Sequence, residues 1–180
     1  MARLHLRTAA AATLGMLITT TTLSLAANQA AAEQSAPCRT SDLTPSWAPG
    51  GSAKPGGVPD EQLTAVVAVK NTGSQACTLH GYPKVTLKAG TARSGAPTET
   101  LHDQVSVKPK TVTLKPGASA RFTLTFLSEK ASNENALVPA VVDITPPGNT
   151  KSRELKWRWG PVLRHESATH PGNFVSPAHP

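Results

Sequence analysis

The residues of this chain that could do metal chemistry are His165, Glu166 and His170, in the run "HESATH". Two histidines four residues apart share a helix face and hold zinc, with the intervening glutamate as general base. Here the histidines are five apart, about 140° off at 100° per residue. They also stand before Pro171, in a stretch with no helical period. The expectation is solvated side chains and no metal. Nucleophilic catalysis needs a serine or cysteine activated by a nearby base. The chain has no Gly-x-Ser-x-Gly elbow. His80, His102, Asp103 and one of the serines could meet across loops, yet nothing in their spacing requires it. The expectation is therefore a non-catalytic protein without a cofactor. An exported hydrolase with a loop-built active site is the alternative.

Cys38 and Cys77 are the two cysteines, and their chemistry depends on the compartment. The chain opens with Arg3, His5 and Arg7, continues with a largely apolar run from Ala9 to Ala27, and reaches "NQAAAEQSA". Ala30 and Ala32 are the small residues that signal peptidase reads, so residues 1–32 read as a secretory signal peptide cleaved after Ala32, with Ala27 as the second choice. Thr19 to Thr22 dilute the run to the lower limit of a membrane span, which argues against a retained anchor. Lipidation of Cys38 would need an aliphatic residue at Ser35, a small one at Pro37 and an apolar run just before. Ten residues separate the run from Cys38, so a lipoprotein is not expected and Cys38 is left to pair. Two cysteines in an exported chain form one disulfide.

Removing residues 1–32 takes Arg3 and Arg7 from the 18 basic residues and leaves the 11 acidic ones, so the mature chain carries +5 over 148 residues. That is the length of one domain with a real core. The basic residues are spread singly, without the cluster or aromatic ladder that nucleic acid would call for. Outside the membrane, the anionic partners on offer are cell-wall polymers and lipid headgroups.

The elements that must position these residues are strands. "LTAVVAVKN" places Leu63, Ala65, Val67 and Val69 on one face, and "ARFTLTF" does the same with Phe122, Leu124 and Phe126. Similar alternation runs through "VTLK", "DQVSVK", "KTVTLK", "LVPAVVDI", broken by Pro139, and "ELKWRW". Prolines and glycines from Pro49 to Pro59 read as an exposed loop over Ser46 to Asp60, and Gly90 to Thr98 reads as another. In "NTGS", Asn71 caps a turn and Gly73 takes a positive φ; "KPGA" and "PPGN" specify further turns around Gly117 and Gly148. Cys77 to Leu79 returns antiparallel, and Gly81, Tyr82 and Pro83 bend the chain. From Gly160 onward periodicity is lost, so residues 161–180 read as an irregular, mobile tail. About seven short strands punctuated by turns make an all-β protein, an antiparallel immunoglobulin-like β-sandwich over residues 33–160. A small closed barrel is the other arrangement.

On those strands Lys70, Lys108, Arg121, Lys156 and Arg158 alternate with apolar residues. If two or three of the strands share a sheet, their outer face is a basic stripe able to attract anionic cell-wall polymers. Trp157 and Trp159 share one strand face: outward they would be a stacking platform, inward they are core, the reading favoured where aromatics are 4% of the chain.

The run "NTGSQACTLHGYPKVTL" resembles the actinobacterial exported family catalogued as domain of unknown function 4232. "LKPGASARFTLTF" and "DITPPG…LKWRW" resemble that family's later strand, turn and closing pattern, so the likeness covers Cys38 to Trp159. Cys-Thr-Leu-x-Gly-Tyr-Pro is fairly specific; Leu-x-Pro-Gly-x-Ser occurs in many unrelated exported sandwiches. The resemblance implies an exported, often lipid-anchored, immunoglobulin-like domain with one disulfide and no established activity. It supplies no catalytic residues. What it implies for this chain is Cys38–Cys77 as the bridge and Gly81, Tyr82 and Pro83 as a structural corner. The missing lipidation motif departs from the anchored members and favours a freely exported or wall-associated form, with no membrane span in the mature chain.

Overall fold

A computed structural model describes residues 35–90, 97–164 and 172–180. The signal-peptide reading, most of the loop expected over Gly90 to Thr98, and the His165, Glu166 and His170 reading lie outside these residues. In chain order the strands are β1 Leu43–Ala48, β2 Gln62–Asn71, β3 Cys77–Leu79, β4 Lys84–Ala89, β5 Thr98–Thr100, β6 His102–Asp103 and β7 Val112–Leu114. They continue with β8 Ser119–Leu127, β9 Ala136–Leu137, β10 Pro139–Thr145, β11 Arg153–Lys156, β12 Val162–Leu163 and β13 Phe174–Val175. One sheet has the order β1-β2-β8-β13-β6 and a second β11-β10-β4-β5, with two small pairs, β12-β9 and β3-β7. Every pairing is antiparallel except that of β13 with β6. The protein is an all-β, sandwich-like fold and not a barrel. No helix among the described residues is long and apolar enough to cross a membrane.

The period-two pattern sets the core. Leu63, Ala65, Val67 and Val69 of β2 are buried, as are Ala120, Phe122, Leu124 and Phe126 of β8. From the second sheet, Val85, Leu87, Val142 and Ile144 join the same apolar cluster. Each fully buried side chain of this size stabilises the fold by about 1.5–3 kcal/mol over leaving it in water. The turns close by local chemistry. At Lys115–Ala118 the Ala118 N–H donates to the Lys115 carbonyl at 2.9 Å, with Gly117 at φ 81°. Residues 146–149 repeat this: Asn149 N–H donates to Pro146 at 3.1 Å and Gly148 has φ 72°.

Asn71 caps its turn as expected, its Oδ1 accepting from Gly73 N–H at 2.9 Å. Gly73 differs from expectation, because it is not among the residues with positive φ. Its small size serves packing instead: a Cβ there would stand 3.1 Å from the Asp42 Cβ and 3.2 Å from the Asn71 Oδ1.

Two further sequence readings change. The segment read as a loop from Ser46 begins as the last half of β1, whose Pro45 and Trp47 pair opposite Val69 and Val67. An edge strand tolerates proline; β1 has only one neighbour. "DQVSVK" is not a strand beyond Asp103. Its main chain turns, with Val105 N–H donating to Asp103 and Val107 N–H to Gln104, and its valines face solvent. The run read as broken by Pro139 is broken there: β9 ends at Leu137 and β10 starts at Pro139, with the register shifting between Pro139 and Val141.

Residues 161–164 and 172–180, within the stretch read as a mobile tail, are built into the fold. Among these described residues are two two-residue strands, β12 and β13, too short for a period to show in sequence. Yet Gln34–Pro180 form one compact unit, and β13 lies between β8 and β6. Asn173 is the knot. Its Nδ2 donates to Glu99 Oε1 at 2.7 Å and to the Leu163 carbonyl at 2.8 Å, and its Oδ1 accepts from Leu127 N–H at 3.0 Å. A side chain buried this deeply, at 1% exposure, must have its polar atoms satisfied, and here each bond reaches a different strand.

Candidate functional site

Cys38 and Cys77 form a disulfide across a sequence separation of 39. Backbone pairing places them together: Cys38 N–H donates to Thr78 O and Thr78 N–H to Ala36 O, each at 2.9 Å. Closing a loop of this size stabilises by about 4 kcal/mol in the chain-entropy picture. The segment after Cys38 is held by side chains too. Asn149 Nδ2 donates to the Cys38 carbonyl, and Arg153 donates to the carbonyls of Thr40 and Ser41.

Gly81, Tyr82 and Pro83 do form the corner between β3 and β4. Gly81 has φ 112°, a conformation other residues rarely adopt. The Tyr82 hydroxyl sits between the carbonyls of Gln104 and Val107 and donates its one hydrogen there. The corner is thereby joined to the turn that follows β6.

Trp157 and Trp159 are core, at 5% and 6% exposure. Sequence reasoning missed their partner, Trp47. Its ring meets Trp157 and Trp159 edge-on, with centroids at 5.8 and 5.2 Å, and Trp157 meets Phe126 at 5.0 Å. Such edge-to-face pairs add about 0.5–1.5 kcal/mol beyond their area. Trp47 Nε1 donates to the Lys156 carbonyl at 3.0 Å and Trp157 Nε1 to Gly160 at 2.7 Å. The signal available was Trp47 itself, an aromatic in a proline-rich stretch, but its partners lie more than a hundred residues away.

The five cations do not share one face. Lys70 on β2 and Arg121 on β8 lie in adjacent rows of the first sheet. Lys156 is on β11 in the second sheet, Lys108 is in the loop before β7, and Arg158 lies past the end of β11. The Arg158 guanidinium stands 4.4 Å from the Trp159 ring centroid and 5.8 Å from that of Trp47, which engages its charge locally. The stripe expected from alternation fails because residues of equal phase on different strands belong to different sheets.

What remains is a smaller and cleaner surface. The register aligns Thr44, Lys70 and Ser119 in one row, Ser46, Ala68 and Arg121 in the next, then Ala48, Val66 and Thr123, and finally Thr64 beside Thr125. These positions lie opposite the buried set, so they form the outer face of β1, β2 and β8. It holds six hydroxyls and two cations and no carboxylate. No ion pair engages Lys70 or Arg121 among the described residues. The outer face of the second sheet differs, because Asp143 and Glu154 stand among Lys84, Lys88 and Lys156, and Lys88 pairs with Asp143.

The residues weighed for catalysis are dispersed. His80 Nδ1 lies 3.2 Å from the Thr111 hydroxyl, whereas His102 and Asp103 are exposed neighbours on β6. No group of three or more His, Cys, Asp or Glu among the described residues could hold a metal ion.

Neither the curated proteins nor the solved structures contain a match to this chain. One family model does match, described as "Domain of unknown function (DUF4232)", and it spans residues 38–174, from the disulfide through the Asn173 knot. On that match, which takes in both sheets and most of the C-terminal segment, the chain belongs to the DUF4232 family.

Proposed function

We propose that this chain is an exported, non-catalytic binding module at or outside the cell envelope, and that its ligand is an anionic cell-wall polymer. The observation that carries this reading is the outer face of β1, β2 and β8, where hydroxyls surround Lys70 and Arg121 and no carboxylate intervenes. A polyanion with its own hydroxyls meets such a face through charge and many weak hydrogen bonds. Arg121 can meet a phosphate or carboxylate with two parallel bonds; Lys70 acts as a point charge. The disulfide supports an oxidising compartment, in keeping with a leader at residues 1–32.

The ligand contacts are exposed, so salt screens them over about 8 Å at physiological ionic strength. Retention of the protein on purified wall material should fall steeply as salt rises. Lys70→Glu with Arg121→Glu should abolish it while leaving the unfolding midpoint within a few degrees. Retention that is equal at low and high salt, or equal in the double variant, rejects the reading.

A further inference from the structure

We propose that the turn Gln104–Val107, with Lys108 and Lys110, is a docking tip for an anionic lipid surface. Four large hydrophobic side chains are exposed among the described residues: Val58, Val105, Val107 and Val138. Singly exposed apolar residues are ordinary. Val105 and Val107 are different because they stand two apart in one turn, at 81% and 43% exposure. Lys108 and Lys110, both exposed, follow at once.

The turn is held rather than loose. Gln104 N–H donates to the Val175 carbonyl at 2.9 Å, Val107 N–H donates to Gln104 at 2.9 Å, and the Tyr82 hydroxyl reaches the Gln104 and Val107 carbonyls from the corner. The fold thus fixes by hydrogen bonds a turn that presents two valines to solvent, which gives Tyr82 a role beyond packing. Behind the tip, Val107, Lys108 and Lys110 border a hollow of about 370 Å³ with Pro177 and Ala178.

Chemistry selects the occupant. Protein interfaces are enriched in aromatics and arginine and depleted in lysine, and they bury about 800 Å² on each partner. This tip has two aliphatic side chains and two lysines, with no aromatic and no arginine. Valines can enter the acyl boundary, while lysine stems lie along the apolar layer with their ammonium groups at the phosphates. Asp103, exposed at the start of the turn, offsets one of the two positive charges, so the contact is weak and depends on both the valines and the lysines. The proposal goes beyond wall binding, uses other residues, and does not depend on it.

Co-sedimentation of residues 33–180 with phosphatidylglycerol vesicles at low salt tests it, with phosphatidylcholine vesicles as the neutral control. Binding should appear with the anionic vesicles only. Lys108→Glu with Lys110→Glu should weaken it by at least about tenfold, since each basic residue near such a surface contributes about fivefold. Val105→Ser with Val107→Ser changes no charge and should weaken it severalfold, while leaving retention on wall material intact. In a Val105→Trp variant the tryptophan emission should shift to the blue on adding anionic vesicles. The proposal is overturned by absence of binding to anionic vesicles, by serine variants that bind as well as the parent, or by a valine-dependent dimer in solution, which would make a second copy the occupant.

Discussion

Asn71 is fully buried and makes three bonds with one amide: it accepts from Gly73 N–H and donates to the carbonyls of Gln75 and Leu114, at 2.9, 2.8 and 3.0 Å. Its position in "NTGS" was legible because asparagine before glycine caps turns. The bond to Leu114, 43 residues on, was not, since no local rule selects that carbonyl. Asn71→Ala should cost about 3 kcal/mol, because it strands one donor and two acceptors in the interior at roughly 1–3 kcal/mol each, partly relieved by relaxation. Chemical denaturation at unchanged slope checks this, and a loss under about 1 kcal/mol would mean that water takes over the bonds. At the same scale, Ser128 Oγ and Trp159 Nε1 are buried with no hydrogen-bond partner among the described residues.

Among elements, the long strands were readable and the short ones were not. β2 and β8 repeat apolar residues at every second place over nine or more residues, and burial follows that phase. β12 and β13 have two residues each, so only their neighbours make them strands. "VSV" had the right alternation and still became a turn, because strand pairing on β6 ends at Asp103. β13 covers β8 at Leu124 and Thr125, and Ser176 and His179 continue the cover at Thr123 and Arg121. Deleting residues 173–180 should therefore leave the β8 edge unpaired, remove the Asn173 knot and lower the unfolding midpoint by about 10 °C or more, at about 2–4 °C per kcal/mol for a domain of about 150 residues. An exposed edge also invites pairing between copies, so size-exclusion chromatography should show aggregates. A truncated protein with the parent's midpoint and elution volume would restore the reading of a mobile tail.

For the whole molecule, the compartment ties the covalent and electrostatic readings together. The exported protein should have the intact mass of residues 33–180 with one disulfide, and it should resist alkylation until reduced. An acylated Cys38 or two alkylated thiols without reduction would refute this and remove the covalent tie between the N-terminal segment and β3. The sequence by itself determined the all-β class, the inward phase of each long strand, the turns at Gly117 and Gly148 and the Gly81–Pro83 corner. Each follows from side-chain alternation or from backbone freedom within a few residues. Which strands became neighbours was decided only by tertiary structure, because pairing joins residues far apart in sequence that no local pattern relates. That choice divided the five cations between two sheets and a loop, gathered Trp47 against Trp157 and Trp159, and folded the last nine residues onto β8. It also left Lys70 and Arg121 together on a face of hydroxyls.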